Sequence, residues 1–449
     1  MEFGGPSGEE DEWVHWEDLI DGLPDPNSDE TDSRYGGHNG GIDDVRIYLD
    51  SVLEQLFEMA QHHEIVADQL PPLMRIPQRT SILRGPMWIH WVLTNPNPRT
   101  CKEQFRMSST TFCRLCNTLK NNHLLISSRF VKITEQVATF LLVVCQGHTM
   151  RAVADRLQRS LQTIHKYSHQ TCKALCRLGK TVIQPTLKVM PHPYVSSNGK
   201  FYPWFGNCIG AIDGTQIDAE VRGMSALPFR SRKKKPTQNV MCVVDMDLCF
   251  TYVYAGWEGS AHDSRIFSEC INDPALRFPA PADGYFYLVD LGYGCSLGFM
   301  PPYRNERYHL ASFRGRRGGP RGKLETFNYR HSSLRSIVER AFGIMKRRFR
   351  ILNNMNPYAT DFQRLIIVAC CCIHNFIRKD CGESDELFKE ALRQMYGDEW
   401  YNLSRCDHLP FLQTVVPGHQ PNRSAESKRY MELYRDAMCE SIWNSMHKD

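Results

Sequence analysis

The stretch CIGAIDGTQI, residues 208–217, contains an apolar run that ends in an aspartate. The run before Asp213 is typical of a buried strand, and Gly214 after it indicates a turn. Asp290 ends a second run of this kind, YFYLVD at residues 285–290. Open α/β sheets place their ligand sites at the carboxyl ends of such strands. Because a buried carboxylate is costly without a cation, the two aspartates predict a cation site at one edge of a sheet.

A third acid, Glu339, lies within SLRSIVERAFGIMKRRFRIL, residues 333–352. Apolar residues recur there at the spacing of an amphipathic helix, namely Leu334, Ile337, Val338, Ala341, Phe342, Met345 and Phe349. Glu339 lies off this stripe, on a face that it shares with Arg335 and Lys346, and is predicted to face a cleft. Two strand-end acids and a helix acid in basic surroundings suit Mg²⁺ or Mn²⁺, which bind carboxylate oxygens. A pair of such ions supports phosphodiester cleavage.

Four sequence blocks follow one another in this region: IGAIDGTQI, GSAHDSRIF, YLVDLGY followed by MPPYR, and FNYRHSSLRSIVERAFGIMKRRFRIL running on to CCIHNFIRK. In this order they resemble the catalytic domain of the PIF/Harbinger family of DDE transposases and the nucleases derived from them. With a weaker match upstream, the resemblance covers roughly residues 80–380. It implies an RNase H-like fold, metal-dependent DNA cleavage and a separate Myb-like partner protein that helps to bind DNA.

The strand order of an RNase H-like core decides which aspartate is the second acid. The predicted strands are residues 208–213, the hairpin 239–245 and 249–255, and residues 285–290. Asp290 follows the fourth strand, so the predicted catalytic triad is Asp213, Asp290 and Glu339, holding two divalent ions. Asp263 is placed at the start of a helix, where it either caps backbone amides or contributes a fourth metal ligand.

Two positions depart from the family pattern. Gln216 stands where the family has a histidine after Asp-Gly-Thr, and Leu291 replaces a small hydroxyl residue after the second acid. Leu291 would either crowd the metal or pack beneath it. Because the acids are retained, we expect an active nuclease. The alternative is a domesticated DNA- or chromatin-binding protein that acts in transcriptional regulation and does not cut.

Basic clusters are interleaved with the acids, although the net charge is only +4. Such clusters favour contacts with DNA phosphates across the metal site, and the predicted contacts are Arg232, Lys233, Lys234, Lys235, Arg316, Arg317, Lys346 and Arg347. The run 232–235 could equally be a nuclear import signal. The nucleus is therefore the expected location, with a cytoplasmic fraction left open.

A helix-turn-helix-like segment is predicted upstream of these blocks. It consists of an apolar helix closed by Gly147, a short helix at residues 149–157, and a longer helix that begins after Ser160. Gln162 and Lys166 would point outward from the last helix, where they could contact bases or phosphates. The alternative is a helical bundle that only supports the nuclease core.

The 449 residues, 42% of them hydrophobic, predict an α/β protein with an RNase H-like mixed sheet flanked by helices and preceded by an α-helical domain. Four regions are expected. Residues 1–75 form an acidic, largely disordered region with a short helix, and residues 76–200 form a helical domain. Residues 201–380 form the nuclease domain, and residues 381–449 form a helical extension that caps the core or mediates homo-oligomerisation. No apolar run reaches the roughly 20 residues of a membrane span, so no membrane partner is expected. The run Cys370-Cys371-Cys372-Ile373-His374 predicts a buried helix rather than a zinc site.

Overall fold

The computed structural model describes residues 78–185, 190–221, 226–230, 235–313, 318–382, 384–397 and 424–447. The described residues from Leu83 onward belong to one compact unit. Residues 78–82 belong to another unit and contain no helix or strand. The prediction for residues 1–75 lies outside the described residues.

Seven helices of the described chain precede the sheet: α1 (Gly85–Thr94), α2 (Arg99–Phe105), α3 (Ser109–Asn121), α4 (Ile133–Gln146), α5 (Met150–Leu157), α6 (Leu161–Val182) and α7 (Pro193–Ser196). Gly147 ends α4 at a φ of 70°, a left-handed conformation that glycine adopts without steric cost. The side chain of Ser160 accepts a hydrogen bond from the Thr163 N–H at the start of α6, and Thr149 does the same for Ala152 at the start of α5. These caps confirm the three predicted helices of the helix-turn-helix-like segment.

The sheet has five strands in the order β3-β2-β1-β4-β5. They are β1 (Cys208–Asp218), β2 (Thr237–Val244), β3 (Phe250–Glu258), β4 (Phe286–Leu288) and β5 (Phe299–Met300). Strands β1, β2 and β3 are antiparallel neighbours, whereas β4 is parallel to β1 and β5 is parallel to β4. Every residue of β2 is buried, since both faces of the sheet are covered. This mixed sheet confirms the predicted RNase H-like α/β class.

The first strand continues past the point where the sequence indicated a turn. Pairing with β4 stops at Ala211, but the ladder with β2 runs on to Asp218, which is opposite Thr237. Gly214 lies within the strand, opposite Met241. The predicted turn at Gly214 is therefore wrong, because pairing with β2 holds the glycine in an extended conformation.

Five further helices of the described chain surround the sheet: α8 (Asp263–Asn272), α9 (Gly322–Arg348), α10 (Thr360–Cys381), α11 (Glu386–Tyr396) and α12 (Ala425–Met446). Helix α9 packs against β1 and α12, and α10 packs against α6 and β3. Among the described residues, α10 alone is long and apolar enough to cross a membrane, yet 78% of its apolar window is buried inside the protein. It is a core helix.

The cysteine-rich run of α10 is buried, as predicted. Cys370, Cys371, Cys372 and His374 have no exposed surface. The His374 ring nitrogen Nε2 lies 2.8 Å from the Leu248 carbonyl oxygen, and burial lowers the pKa of this imidazole to about 3. The run therefore serves packing between α10 and the sheet.

Candidate active site

Asp213 lies in β1 just beyond the end of the pairing with β4. Its Oδ2 atom accepts a hydrogen bond of 2.7 Å from Nη1 of Arg335, and its Oδ1 atom accepts one from the Gly214 N–H. Burial, with help from the nearby charges of Asp263 and Asp290, raises the pKa of the Asp213 carboxyl to about 6 against the opposing effect of Arg335. The three aspartates are therefore close enough to repel one another.

Arg335 of α9 lies between the predicted acids. Its side chain is only 8% exposed, and its Nη2 atom is 3.4 Å from Oε1 of Glu339, whose side chain is 60% exposed. Burial alone would lower the pKa of this guanidinium, but attraction to Asp213, Asp290 and Glu339 outweighs it and raises the pKa. One guanidinium thus interacts with all three members of the predicted triad.

Asp290 follows β4 and directly precedes a single turn of 3-10 helix, Leu291–Tyr293. Its Oδ1 atom is buried and accepts no hydrogen bond within the described part of the chain. The Tyr293 hydroxyl is equally buried and unpaired there, and burial followed by repulsion from Asp263 and Asp213 raises its pKa well above the usual range. A buried carboxylate oxygen without a donor is costly unless a cation or water satisfies it.

Asp263 is the first residue of α8, where the sequence placed it. Its Oδ1 atom accepts a 2.6 Å hydrogen bond from Nδ2 of Asn239 in β2. A Cβ atom at Gly214 would lie 2.4 Å from the same oxygen, so only glycine allows β1 and Asp263 to approach this closely. The pKa of the Asp263 carboxyl is raised by burial, against the Asn239 hydrogen bond, and by repulsion from Asp290.

The donor set suits a hard divalent cation, although within the described residues no three histidine, cysteine, aspartate or glutamate side chains are grouped closely enough to hold a metal ion. Glu339 is directed at Arg335 rather than at the aspartates. The carboxylate oxygens of Asp213, Asp263 and Asp290 are nevertheless of the type that Mg²⁺ and Mn²⁺ bind, and the unpaired Oδ1 of Asp290 has the free lone pairs that a cation needs. The donor atoms, though not their present spacing, therefore suit such an ion.

The predicted DNA contacts are placed unevenly. Arg232, Lys233, Lys234, Arg316 and Arg317 lie outside the described residues. Gln162, Lys166, Lys235 and Arg347 have exposed side chains. Lys346 is half-buried and donates to Oγ1 of Thr215 and the carbonyl oxygen of Gln216, at 2.7 Å each, so this lysine also fixes α9 against β1.

The two unusual positions have structural partners. Gln216 accepts a 2.6 Å hydrogen bond from the Thr237 hydroxyl through Oε1, which ties β1 to β2 beside the acids. Leu291 is half-buried in the turn after Asp290.

Sequence reasoning assigned no role to Arg335, Asn239 or Tyr293. For Arg335 a signal was available, because it lies four residues before Glu339 on the same helical face. Asn239 and Tyr293 carry no such local signal, since their relation to the acids depends on strand pairing.

Comparison with known proteins supports the fold. Residues 212–375 match the family described as DDE superfamily endonuclease, and residues 80–177 match a domain of unknown function, DUF8040. No solved structure is significantly similar to the chain.

Two of three curated relatives are plant proteins, and the third is a mammalian protein. Protein ALP1-like of Arabidopsis thaliana is 24% identical over 305 residues, which is 63% of this chain and 71% of the relative. Antagonist of like heterochromatin protein 1 of the same plant is 23% identical over 329 residues, 66% of this chain and 78% of the relative. HARBI1 of Bos taurus, whose name gives nuclease as a provisional activity, is 24% identical over 171 residues, 37% of this chain and 45% of the relative. Residues 212–375 therefore match a DDE superfamily endonuclease domain, and the chain is similar to Harbinger transposase-derived proteins, which confirms the resemblance of the four sequence blocks.

Proposed function

We propose that this site is a divalent-metal-dependent DNA endonuclease centre in which Asp213, Asp290 and Glu339 are the catalytic acids. One observation carries the proposal: the Arg335 guanidinium donates hydrogen bonds to both Asp213 and Glu339, and the charge of Asp290 helps to raise its pKa. Acids from β1, from the end of β4 and from α9 are thus gathered around one positive charge. A site that gathers carboxylates around a cation in this way suits metal-assisted phosphodiester hydrolysis.

The roles follow from the positions of the side chains. Asp213 and Asp290 would hold two Mg²⁺ or Mn²⁺ ions, with Asp263 as an additional ligand that Asn239 orients. Glu339 has the mobility of an exposed side chain and would join them after leaving Arg335. Bound ions would supply the usual chemistry of this class, a more acidic water and a stabilised leaving oxygen. No serine, tyrosine or cysteine nucleophile is needed.

The substrate we propose is DNA, held by basic and polar side chains outside the acidic site. Arg347 is exposed about two turns beyond Glu339 on α9, and Gln162 and Lys166 are exposed on α6. Phosphate contacts from Arg347 and Lys166 would position the duplex, and Gln162 could read a base edge. The remaining predicted contacts, a nuclear location and a Myb-like partner protein stay part of this proposal.

Cleavage of supercoiled plasmid tests the proposal. Purified full-length protein is incubated with Mg²⁺, with Mn²⁺ or with EDTA, beside Asp213→Ala and Glu339→Ala. We expect nicking that needs a divalent ion and that falls by about a hundredfold or more in both variants, as for the loss of a catalytic group.

A matched control separates folding from catalysis. Glu258→Ala removes a half-buried acid at the end of β3, and it should nick like the wild type. Nicking that persists in both catalytic variants would contradict the proposal, as would DNA binding without nicking under every metal condition, including in the presence of a Myb-like partner.

A second function has specific support. One relative is named an antagonist of a heterochromatin protein, and Arg335 pairs with Asp213 and Glu339 without a metal. A chain that keeps this ion pair permanently would be a DNA- or chromatin-binding protein with a silent site. Such a protein would bind DNA equally well with and without divalent ions, and Asp213→Ala would leave binding unchanged.

A further inference from the structure

Apart from the acidic site, a positively charged cavity lies on another face of α9. It has a volume of about 280 Å³ and is enclosed by α9, by the segment that follows α7, by the turn around Phe313 and by α11. Ser333, Ser336 and Arg340 line it from α9, at positions roughly a sixth to a third of a turn away from Glu339 on the helix. The cavity is therefore a separate feature from the acidic site.

The cavity concentrates positive charge. Nζ of Lys200 donates to Oγ of Ser333 at 2.6 Å and lies 3.8 Å from the centre of the Tyr329 ring. Nη1 of Arg340 donates to Oγ of Ser336 at 2.8 Å. Arg330 contacts the backbone beside these side chains, since its Nη1 donates to the Lys200 carbonyl oxygen. Burial, together with repulsion from Arg330 and Arg340, lowers the pKa of Lys200 to about 8.

These cations lack the partners that buried cations have elsewhere in the molecule. Arg335 pairs with Asp213 and Arg348 pairs with Asp385. Within the described residues, Lys200, Arg330 and Arg340 form no ion pair with a carboxylate. Half-buried like charges without a counter-ion destabilise a fold, so the arrangement suits an anion supplied from outside.

The other lining groups indicate which anion. Ser333 and Ser336 already donate their hydroxyl hydrogens to the backbone carbonyl oxygens of Tyr329 and Ser333. The N–H groups of Lys200 and Arg340 and the Tyr194 hydroxyl are therefore the donors that the cavity offers, and a phosphate group has enough acceptor oxygens to use them together. The space is larger than phosphate alone requires. Aromatic rings of Phe201, Phe313 and Tyr329 also line it, and such rings stack on nucleobases.

We propose that this cavity binds a nucleotide, with its phosphate held by Lys200 and Arg340 and its base against the aromatic side chains. The nucleotide comes either from a DNA strand or from free solution. The DNA source rests on the proposed function, whereas the free source does not. In the DNA case, the cavity would hold a nucleotide near the scissile bond, because Arg340 follows Glu339 directly in α9.

Calorimetric titration of the full-length protein in EDTA tests this binding without requiring nuclease activity. The probes are inorganic phosphate, deoxyadenosine monophosphate and a single-stranded oligodeoxynucleotide. We expect saturable binding of the monophosphate, tighter than that of inorganic phosphate by roughly fivefold or more, because the base stacks on the aromatic rings. Lys200→Met and Arg340→Gln should each weaken it by roughly tenfold or more, the usual effect of losing one charge-assisted hydrogen bond. Arg429→Gln, which changes an exposed arginine of α12, should leave it unchanged.

Two competition results would both support the cavity and identify the source. If the oligonucleotide displaces the monophosphate and Arg340→Gln weakens the binding of both, the bound nucleotide belongs to a DNA strand. If the oligonucleotide does not displace the monophosphate, the natural ligand is a nucleotide from free solution. The absence of saturable monophosphate binding, or binding that is the same in Arg340→Gln as in the wild type, would overturn the proposal. Arg340→Gln serves this purpose even if Lys200→Met does not fold, and Glu339→Ala should bind the monophosphate normally whether or not the acids cut DNA.

Discussion

At the scale of single residues, Asp213 is subject to opposing effects. Burial and the neighbouring aspartates favour its neutral form, whereas the Arg335 hydrogen bond favours the carboxylate. The net result is a pKa of about 6 instead of the ordinary 3.8. A group balanced in this way responds strongly to any change in local charge, whether a proton, a metal ion or a substituted neighbour.

The first prediction concerns the pH dependence of stability. Between about pH 4 and pH 6 the folded protein holds a proton on Asp213 that the unfolded chain has lost, so the free energy of unfolding should fall as the pH rises through this window. The shift corresponds to roughly 3 kcal/mol. Asp213→Asn does not titrate and should lack this fall in urea unfolding measured in EDTA. Parallel pH profiles for the two proteins would contradict this assignment.

The second prediction concerns Arg335. Arg335→Met leaves the buried carboxylate of Asp213 without its partner, which should lower the free energy of unfolding by about 3–5 kcal/mol in EDTA. Because the competing positive charge is gone, Mn²⁺ should bind more tightly and restore part of the lost stability. The measurement is the melting temperature with and without Mn²⁺. An increase on Mn²⁺ addition no larger than in the wild type would argue against competition between Arg335 and a metal.

At the scale of elements, α9 connects the site to the rest of the fold. Its first acid, Glu325, pairs with Arg307, Lys346 is bound to β1, and Arg348 pairs with Asp385. Asp385 also accepts hydrogen bonds from backbone N–H groups at the start of α11. The position of Glu339 therefore depends on contacts along the whole helix.

The third prediction tests the end of this helix. The Arg348 side chain is 1% exposed, so Asp385→Ala would leave a buried guanidinium unpaired and remove the cap of α11. We expect a loss of about 3–5 kcal/mol in urea unfolding. The control is Glu440→Ala, which breaks the pair with Lys323 in which both side chains are about half exposed. That change should cost far less, because an exposed ion pair contributes little to stability, and equal losses in the two variants would contradict the account.

Local signals predicted the elements well, whereas contacts distant in sequence did not follow from them. The caps Thr149, Ser160 and Gly147 set the ends of α4, α5 and α6 where the sequence placed them. The predicted end of β1 was wrong, since an Asp-Gly pair resembles a turn unless a neighbouring strand holds it extended. The contact between Arg335 and Asp213 spans 122 residues, so no local pattern contained it.

At the scale of the whole molecule, the acids lie beside α9, just beyond the point where the parallel pairing of β1 with β4 stops. The helices before the sheet are joined to it through α10, which contacts both α6 and β3. The proposed helical and nuclease domains would then correspond to the two family matches, at residues 80–177 and 212–375, and both would lie within one compact unit. DNA bound to α6 and DNA cut at the acids would be held by a single body.

The measurement that tests the central claim most directly is the plasmid nicking rate of Asp290→Asn in Mn²⁺, because strand order alone assigned this residue as the second acid. Asp245→Asn is the control, since Asp245 accepts backbone hydrogen bonds in the hairpin between β2 and β3, and Asp263→Asn is the rival. We predict a rate lower by about a hundredfold or more for Asp290→Asn and an unchanged rate for Asp245→Asn. Nicking by Asp290→Asn at the wild-type rate, with loss of activity in Asp263→Asn instead, would contradict the assigned triad.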